Sequence, residues 1–236
     1  MSFRLPLLLI AFVISLQALL VTGCQDGPLY ALKVANPYYS LKEWRAEKAY
    51  GETDHERWQE LLRLSQTIDK LPTSEQQEWV KQFSGILEND ESAEMRRLVV
   101  VSAGRLDSAE SLSLIESGLK DPSTKVRMEA CRSLGGRRGS ESVRLLASVF
   151  GSESNQDVKN AAVAALASFS DQIAVDSLRL ALSDRNPATR AVAISSLRES
   201  TGKDYGDDPK EWIAALDGQP VEEEPVRFAD RIMDLF

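Results

Sequence analysis

The 236-residue chain is long enough for one or two domains at roughly 100–200 residues each, and with 43% hydrophobic and 27% charged residues it can bury a core, which excludes a disordered or collagen-like polymer. Its 36 acidic and 28 basic side chains give a net charge of −8, the wrong sign for a general nucleic-acid binder, which needs clustered basic charge against phosphates. A lone histidine, His55, and two cysteines, Cys24 and Cys131, exclude a His-rich zinc site and leave little from which to build a Ser/His or Cys/His triad.

Residues 1–23 have the order of a signal peptide: Arg4 supplies one positive charge, and Leu5 to Val21 is an uncharged, mostly apolar run ending in Thr22-Gly23-Cys24. Val21-Thr-Gly-Cys24 resembles the lipobox of bacterial lipoproteins. That resemblance implies acylation of Cys24, removal of residues 1–23 and a chain lipid-anchored in the bacterial cell envelope, facing the periplasm or the exterior. Gln25 after the cysteine favours the outer membrane under the enterobacterial sorting rule. An uncleaved membrane anchor is the competing reading, but it wants about 20 apolar residues. The processed chain would keep 27 basic and 36 acidic side chains, a balance of −9.

Residues 24–53 read as a membrane-proximal arm. Four of the five tyrosines, Tyr30, Tyr38, Tyr39 and Tyr50, lie here with Trp44 and the Asn36-Pro37 break, so the segment is not a flexible Gly/Ser tether. Such aromatics suit two roles, covering the open end of a helical stack or anchoring a partner, with Tyr38, Tyr39 and Trp44 as candidate contacts. His55, in the first turn of the next segment, reads as a solvated or arm-packing residue, not a ligand.

From residue 54 the chain repeats itself. Segments 90–120 and 121–153 align with a shift of 31, and the following shifts are 32 and 31. In the first helix of each unit Met95, Val126, Val158 and Thr189 correspond, as do Val99, Ala130, Ala162 and Ala193. In the second helix an i, i+3, i+7 stripe recurs as Val80/Phe83/Leu87, Leu112/Ile115/Leu119, Val143/Leu146/Phe150 and Val175/Leu178/Leu182. So narrow a stripe cannot be buried by one helix, so stacked neighbours must complete a shared core. Asp121-Pro122, Asn186-Pro187 and Asp208-Pro209 read as capped helix starts, Thr53-x-x-Glu56 and Ser74-x-x-Gln77 as capping boxes, and Gly135-Gly136 as a turn. Cys131 falls on the apolar side of a helix and reads as a small buried hydrophobe.

Ala103-Gly-Arg-Leu-Asp-Ser-Ala-Glu-Ser-Leu112, Lys120-Asp-Pro-Ser-Thr-Lys-Val-Arg-Met-Glu-Ala130 and Leu134-Gly135 resemble the HEAT repeat, particularly the short HEAT-like type of phycobilisome lyases. The segment Thr201-Gly-Lys-Asp-Tyr-Gly-Asp-Asp-Pro-Lys-Glu-Trp212 resembles the closing segment of lipid-anchored bacterial HEAT proteins. The expectation is an all-α fold, a right-handed α-solenoid of HEAT-like helical hairpins over residues 54–216. One acid precedes one base by six residues in each unit, as Asp90/Arg96, Asp121/Arg127, Glu153/Lys159 and Asp184/Arg190. This pattern predicts an inter-repeat ladder and no catalytic site. Arg132, Arg137, Arg138 and Arg144 cluster around one turn, either as a solvated turn or as an anion site.

Residues 217–236 read as an acidic linker and an amphipathic tail in which Phe228, Ile232 and Leu235 lie at i, i+4 and i+7. The stripe can dock in a partner's groove or fold back on the solenoid, and eleven residues are too few for a stable isolated helix. The expected function is a membrane-tethered, non-catalytic scaffold or adaptor for an unidentified protein partner. It has no catalytic residue, metal, cofactor, nucleic acid or evident small-molecule substrate. The alternatives are a bilin-lyase-like HEAT enzyme and a purely structural envelope protein.

Overall fold

A computed structural model of the chain describes residues 54–221. They contain ten α-helices and no strand: α1 Asp54–Thr67, α2 Thr73–Asn89, α3 Ala93–Gly104, α4 Ala109–Gly118, α5 Thr124–Gly135, α6 Ser140–Ser152, α7 Gln156–Leu166, α8 Gln172–Ala181, α9 Pro187–Thr201 and α10 Pro209–Leu216. A single 3-10 turn, Ile68–Lys70, follows α1. Among the described residues, those from Trp58 to Val221 belong to one compact unit.

Within that unit the helices alternate between two layers. The first helices pack in series, α3 on α5, α5 on α7 and α7 on α9, and the second helices join α2 to α4, α6 to α8 and α8 to α10. The all-helical α-solenoid expected from the repeat is the fold observed. The first-helix register is also as read: Met95, Val126, Val158 and Thr189 are buried, with Val99, Ala130, Ala162 and Ala193 one turn on.

The second-helix stripe is as read in α2, where Val80, Phe83 and Leu87 are all buried, and its centres Ile115, Leu146 and Leu178 are fully buried with Val143 and Leu182. In α4, α6 and α8 it is shifted in part, since Leu112, Leu119, Phe150 and Val175 are only half-buried. The innermost positions go to Leu114 and to smaller residues: Ser111, Gly118, Ser142, Ala174, Ser177 and Ala181. Interlayer distance explains the choice. A Cβ on Gly118 would lie 2.7 Å from a methyl of Val100, so the layers approach too closely there for a larger side chain. The buried hydroxyls cost little, because Ser111 donates to Leu106 O at 2.9 Å and Ser177 to Ile173 O at 2.7 Å.

Helix starts follow the caps in most places. Ser92, Ser108, Asn155, Asp171, Asn186 and Asp208 each accept from a backbone N–H in the first turn of the following helix. Two expected caps are corrected. Helix α2 begins at Thr73, with Pro72 at its cap position and no side-chain cap, so Ser74 lies inside the helix. Helix α5 begins at Thr124 after Ser123, because Asp121 is engaged across the stack. The expected turn falls at Gly136, which opens the short link 136–139 between α5 and α6. Gly135 is the last residue of α5, and Gly136 has an ordinary φ of −78°. The small residue at Gly135 is set by α7, since a Cβ there would meet Ala165 O at 3.2 Å.

The last pair closes the core. Trp212 on α10 is fully buried, donates from Nε1 to Gly206 O at 2.8 Å, and meets Tyr205 edge-on with ring centroids 5.1 Å apart. Gly206 has φ 77°, a left-handed backbone that glycine adopts without steric cost. The resemblance placed a closing segment at residues 201–212, and these contacts show how it covers what the next repeat would have covered.

Candidate partner-binding surfaces

The ladder is the most regular polar feature of the array. Arg96 on α3 donates from Nε and Nη2 to the two carboxylate oxygens of Asp121, at 2.7 and 2.9 Å. Arg127 on α5 does the same from Nε to Glu153 at 2.9 Å, and Lys159 on α7 lies 3.6 Å from Asp184. Each base thus reaches the acid of the next repeat. The guanidinium also holds its own loop, with Arg96 Nη1 donating to Asp90 O and Glu91 O and Arg127 Nη1 to Asp121 O and Pro122 O. Arg190 repeats the loop contacts at Asp184 O and Arg185 O. In turn each acid accepts from the backbone N–H two residues on, at Ser92, Ser123, Asn155 and Asn186.

The electrostatics are those of a structural network. Burial raises the Asp121 carboxyl, but Arg96 and the Ser123 N–H outweigh it and hold the group below its ordinary range. Glu153 is likewise raised by burial and brought below its ordinary value by Asn155 N–H and Arg127. Burial first, and Glu153 second, push the Cys131 thiol up to about 12, so the side chain is the inert small hydrophobe its position implied. No group of His, Cys, Asp and Glu side chains among the described residues could hold a metal ion.

The arginine cluster disperses. Arg137 is buried against the preceding repeat, where it donates to Leu106 O, Ser111 Oγ and Ser108 O. Arg132 lies 3.6 Å from Glu129 and Arg144 2.9 Å from Glu141. Charges so divided do not converge on one anion.

Two adjoining grooves lie along α5 and α7. One, of about 530 Å³, runs past Met128, Arg132, Asp157, Asn160 and Ala161. The other, of about 740 Å³, lies at the turns past Arg138, Phe169 and Asp171. Gly135, Gly136 and Ser168 line both. Their walls are small side chains with opposite charges interspersed, and neither gathers a nucleophile, a base and an oxyanion donor into one place.

On the second helices Lys81, Ser84 and Glu88, and Asp176, Arg179 and Ser183, lie outside the core. What the sequence reading missed is Ile173 and Leu180 on α8, 40% and 63% exposed, the large hydrophobic side chains left open among the described residues. Aligning the second helices by the repeat period was the signal that could have found them.

Cys24, Tyr38, Tyr39 and Trp44, the leader 1–23, and Phe228, Ile232 and Leu235 in the tail all lie outside the described residues. None of the described helices is long and apolar enough to cross a membrane. No curated protein matches the chain. The family model of HEAT repeats does match, over residues 80–167, from the middle of α2 to the residue after α7. Over that stretch the chain is similar to HEAT repeats, and the paired helices and serial two-layer packing agree with the likeness.

Proposed function

We propose that the protein is a membrane-tethered, non-catalytic adaptor of the bacterial cell envelope, anchored by lipid on Cys24 and binding a protein partner through its terminal segments. HEAT repeats commonly serve as protein-interaction scaffolds. The observation that carries the reading is the distribution of large apolar side chains. In the array nearly all are used by the shared core, whereas Tyr38, Tyr39 and Trp44 in the arm and Phe228, Ile232 and Leu235 in the tail stand outside the repeat pattern. Buried aromatics are the usual source of affinity at protein interfaces.

The tether rests on the lipobox resemblance at Val21–Cys24. Two or three acyl chains on Cys24 exceed the two-signal requirement for stable attachment, so the mature chain stays on the membrane through salt washes. Mass spectrometry of the mature N-terminus tests it. Acylated Cys24, with processing blocked in Cys24→Ser, is the expected result; normal cleavage without lipid contradicts the tether.

A further inference from the structure

The second helices superpose by the repeat period, and two of their surface columns change character at α8. One column runs Glu78, Glu110, Glu141, Ile173, and the other Gly85, Ser117, Ser148, Leu180. In three successive helices both positions are polar or glycine. In α8 alone they are branched and apolar, seven residues apart on one face, and both are exposed. Two such exchanges at the same helical spacing mark a surface that something covers in the last full repeat and nowhere else in the array.

The route of the chain identifies what covers it. Helix α10 packs on α8 and ends at Arg179, the residue before Leu180: Asp217, its C-terminal cap, accepts from Arg179 at 3.0 and 2.8 Å. The chain then turns. Gly218 has φ 76°, its N–H donates to Ala215 O, and the Gln219 N–H donates to Ala214 O, the Schellman arrangement that ends a helix and redirects the backbone. From Asp217, paired with the neighbour of Leu180, eleven residues lead to Phe228, and extended chain covers about 36 Å over that length. The span needed is one helix. Charge permits the contact, since the tail's Arg227 and Arg231 are balanced by Asp230 and Asp234 and Asp176, between Ile173 and Leu180 on the exposed side of α8, accepts from Gln172 at 2.8 Å.

We propose that residues 226–236 of the same chain lie along α8 over Ile173 and Leu180, so that the tail rests on its own array and a partner that takes the tail must displace it. This goes beyond the adaptor reading, which concerns contacts made with another protein. Contact with α8 also removes the difficulty that eleven residues form no stable helix alone.

The test uses the full-length chain in detergent micelles. Leu180→Cys and Ile232→Cys are combined, oxidised at low protein concentration and mapped by peptide mass spectrometry, beside a control pairing Ser117→Cys on α4 with Ile232→Cys. The expected result is an intramolecular 180–232 disulfide at least about five-fold above the control, because docking raises the effective concentration of one thiol at the other. A yield equal to the control overturns the proposal. A 180–232 disulfide found only between two chains overturns it too, and gives the face to a second copy. Leu180→Asp, at an exposed position, supplies an independent reading: the array stays folded with its melting temperature lowered by only about 2–4 °C, and tryptic cleavage after Arg227 and Arg231 speeds up by about five-fold or more, as expected for release of a docked segment. Unchanged cleavage contradicts docking. None of these readouts involves a partner protein, so failure of the adaptor reading in membranes leaves them intact, and their failure leaves that reading standing.

Discussion

Arg96 joins its own repeat to the next: three of its guanidinium nitrogens hold Asp121 and the loop carbonyls of Asp90 and Glu91, with side-chain exposures of 11% for Arg96 and 4% for Asp121. The pair is well buried and bidentate, so removing one partner strands the other without water. Arg96→Met and Asp121→Asn are each expected to cost about 3 kcal/mol in urea unfolding. The double variant costs clearly less than the sum of the two. Strict additivity would show that the rung carries no coupling.

The third rung is built with lysine and is looser, at 3.6 Å. Lys159 supplies a point charge where Arg96 and Arg127 supply a planar fork. Lys159→Arg should add the missing loop contacts at residues 153 and 154 and stabilise the protein by about 0.5 kcal/mol. Melting curves of the two proteins check this, and a lower melting temperature would show that the α7–α9 step cannot accept the fork.

The ladder also sets a pH response. Asp121 and Glu153 have carboxyl groups held below their ordinary values of 3.8 and 4.5 in the folded chain. On acidification the unfolded chain therefore takes up protons before the folded one does. The contribution of these groups is complete above their unfolded values and is lost as pH falls through the folded ones, so the urea midpoint should drop from about pH 5 downward. Asp121→Asn should be less stable at pH 7 and show a shallower decline in acid. An equal slope would remove the Asp121 rung from the acid response.

The Cys131 thiol, fully buried and raised to about 12, is expected to stay unlabelled by a thiol reagent in the native protein. It should react at the rate of global unfolding when urea is added. Rapid native labelling would show that the α5–α7 contact opens locally.

The sequence displayed the architecture because the period is carried by large residues. Met95, Val126 and Val158 recur at spacings that only stacked helices explain, and the acid–base pair at six-residue spacing foretold which carboxylate each base meets. The partial shift of the stripe in α4, α6 and α8 was not visible, because Ser111, Gly118, Ser142 and Ala174 are selected for small size, and hydrophobicity does not reveal a need for space. Arg137 was misread for a related reason. Its proximity in sequence to Arg132, Arg138 and Arg144 suggested a cluster, while its partners, Leu106 O, Ser108 O and Ser111 Oγ, come from the preceding repeat. Backbone acceptors leave no mark in a sequence. Ile173 and Leu180 could have been found by comparing columns across repeats, but each helix by itself shows only a further apolar residue.

The adaptor reading places affinity at the ends of the chain, and crosslinking from the arm tests that most directly. A photoreactive phenylalanine analogue replaces Trp44 in one strain and Ser148, an exposed array position, in another, and both are irradiated in intact membranes. The account predicts one discrete protein adduct from position 44 and none of that mass from position 148. No adduct from position 44, or the same adducts from both positions, would contradict it.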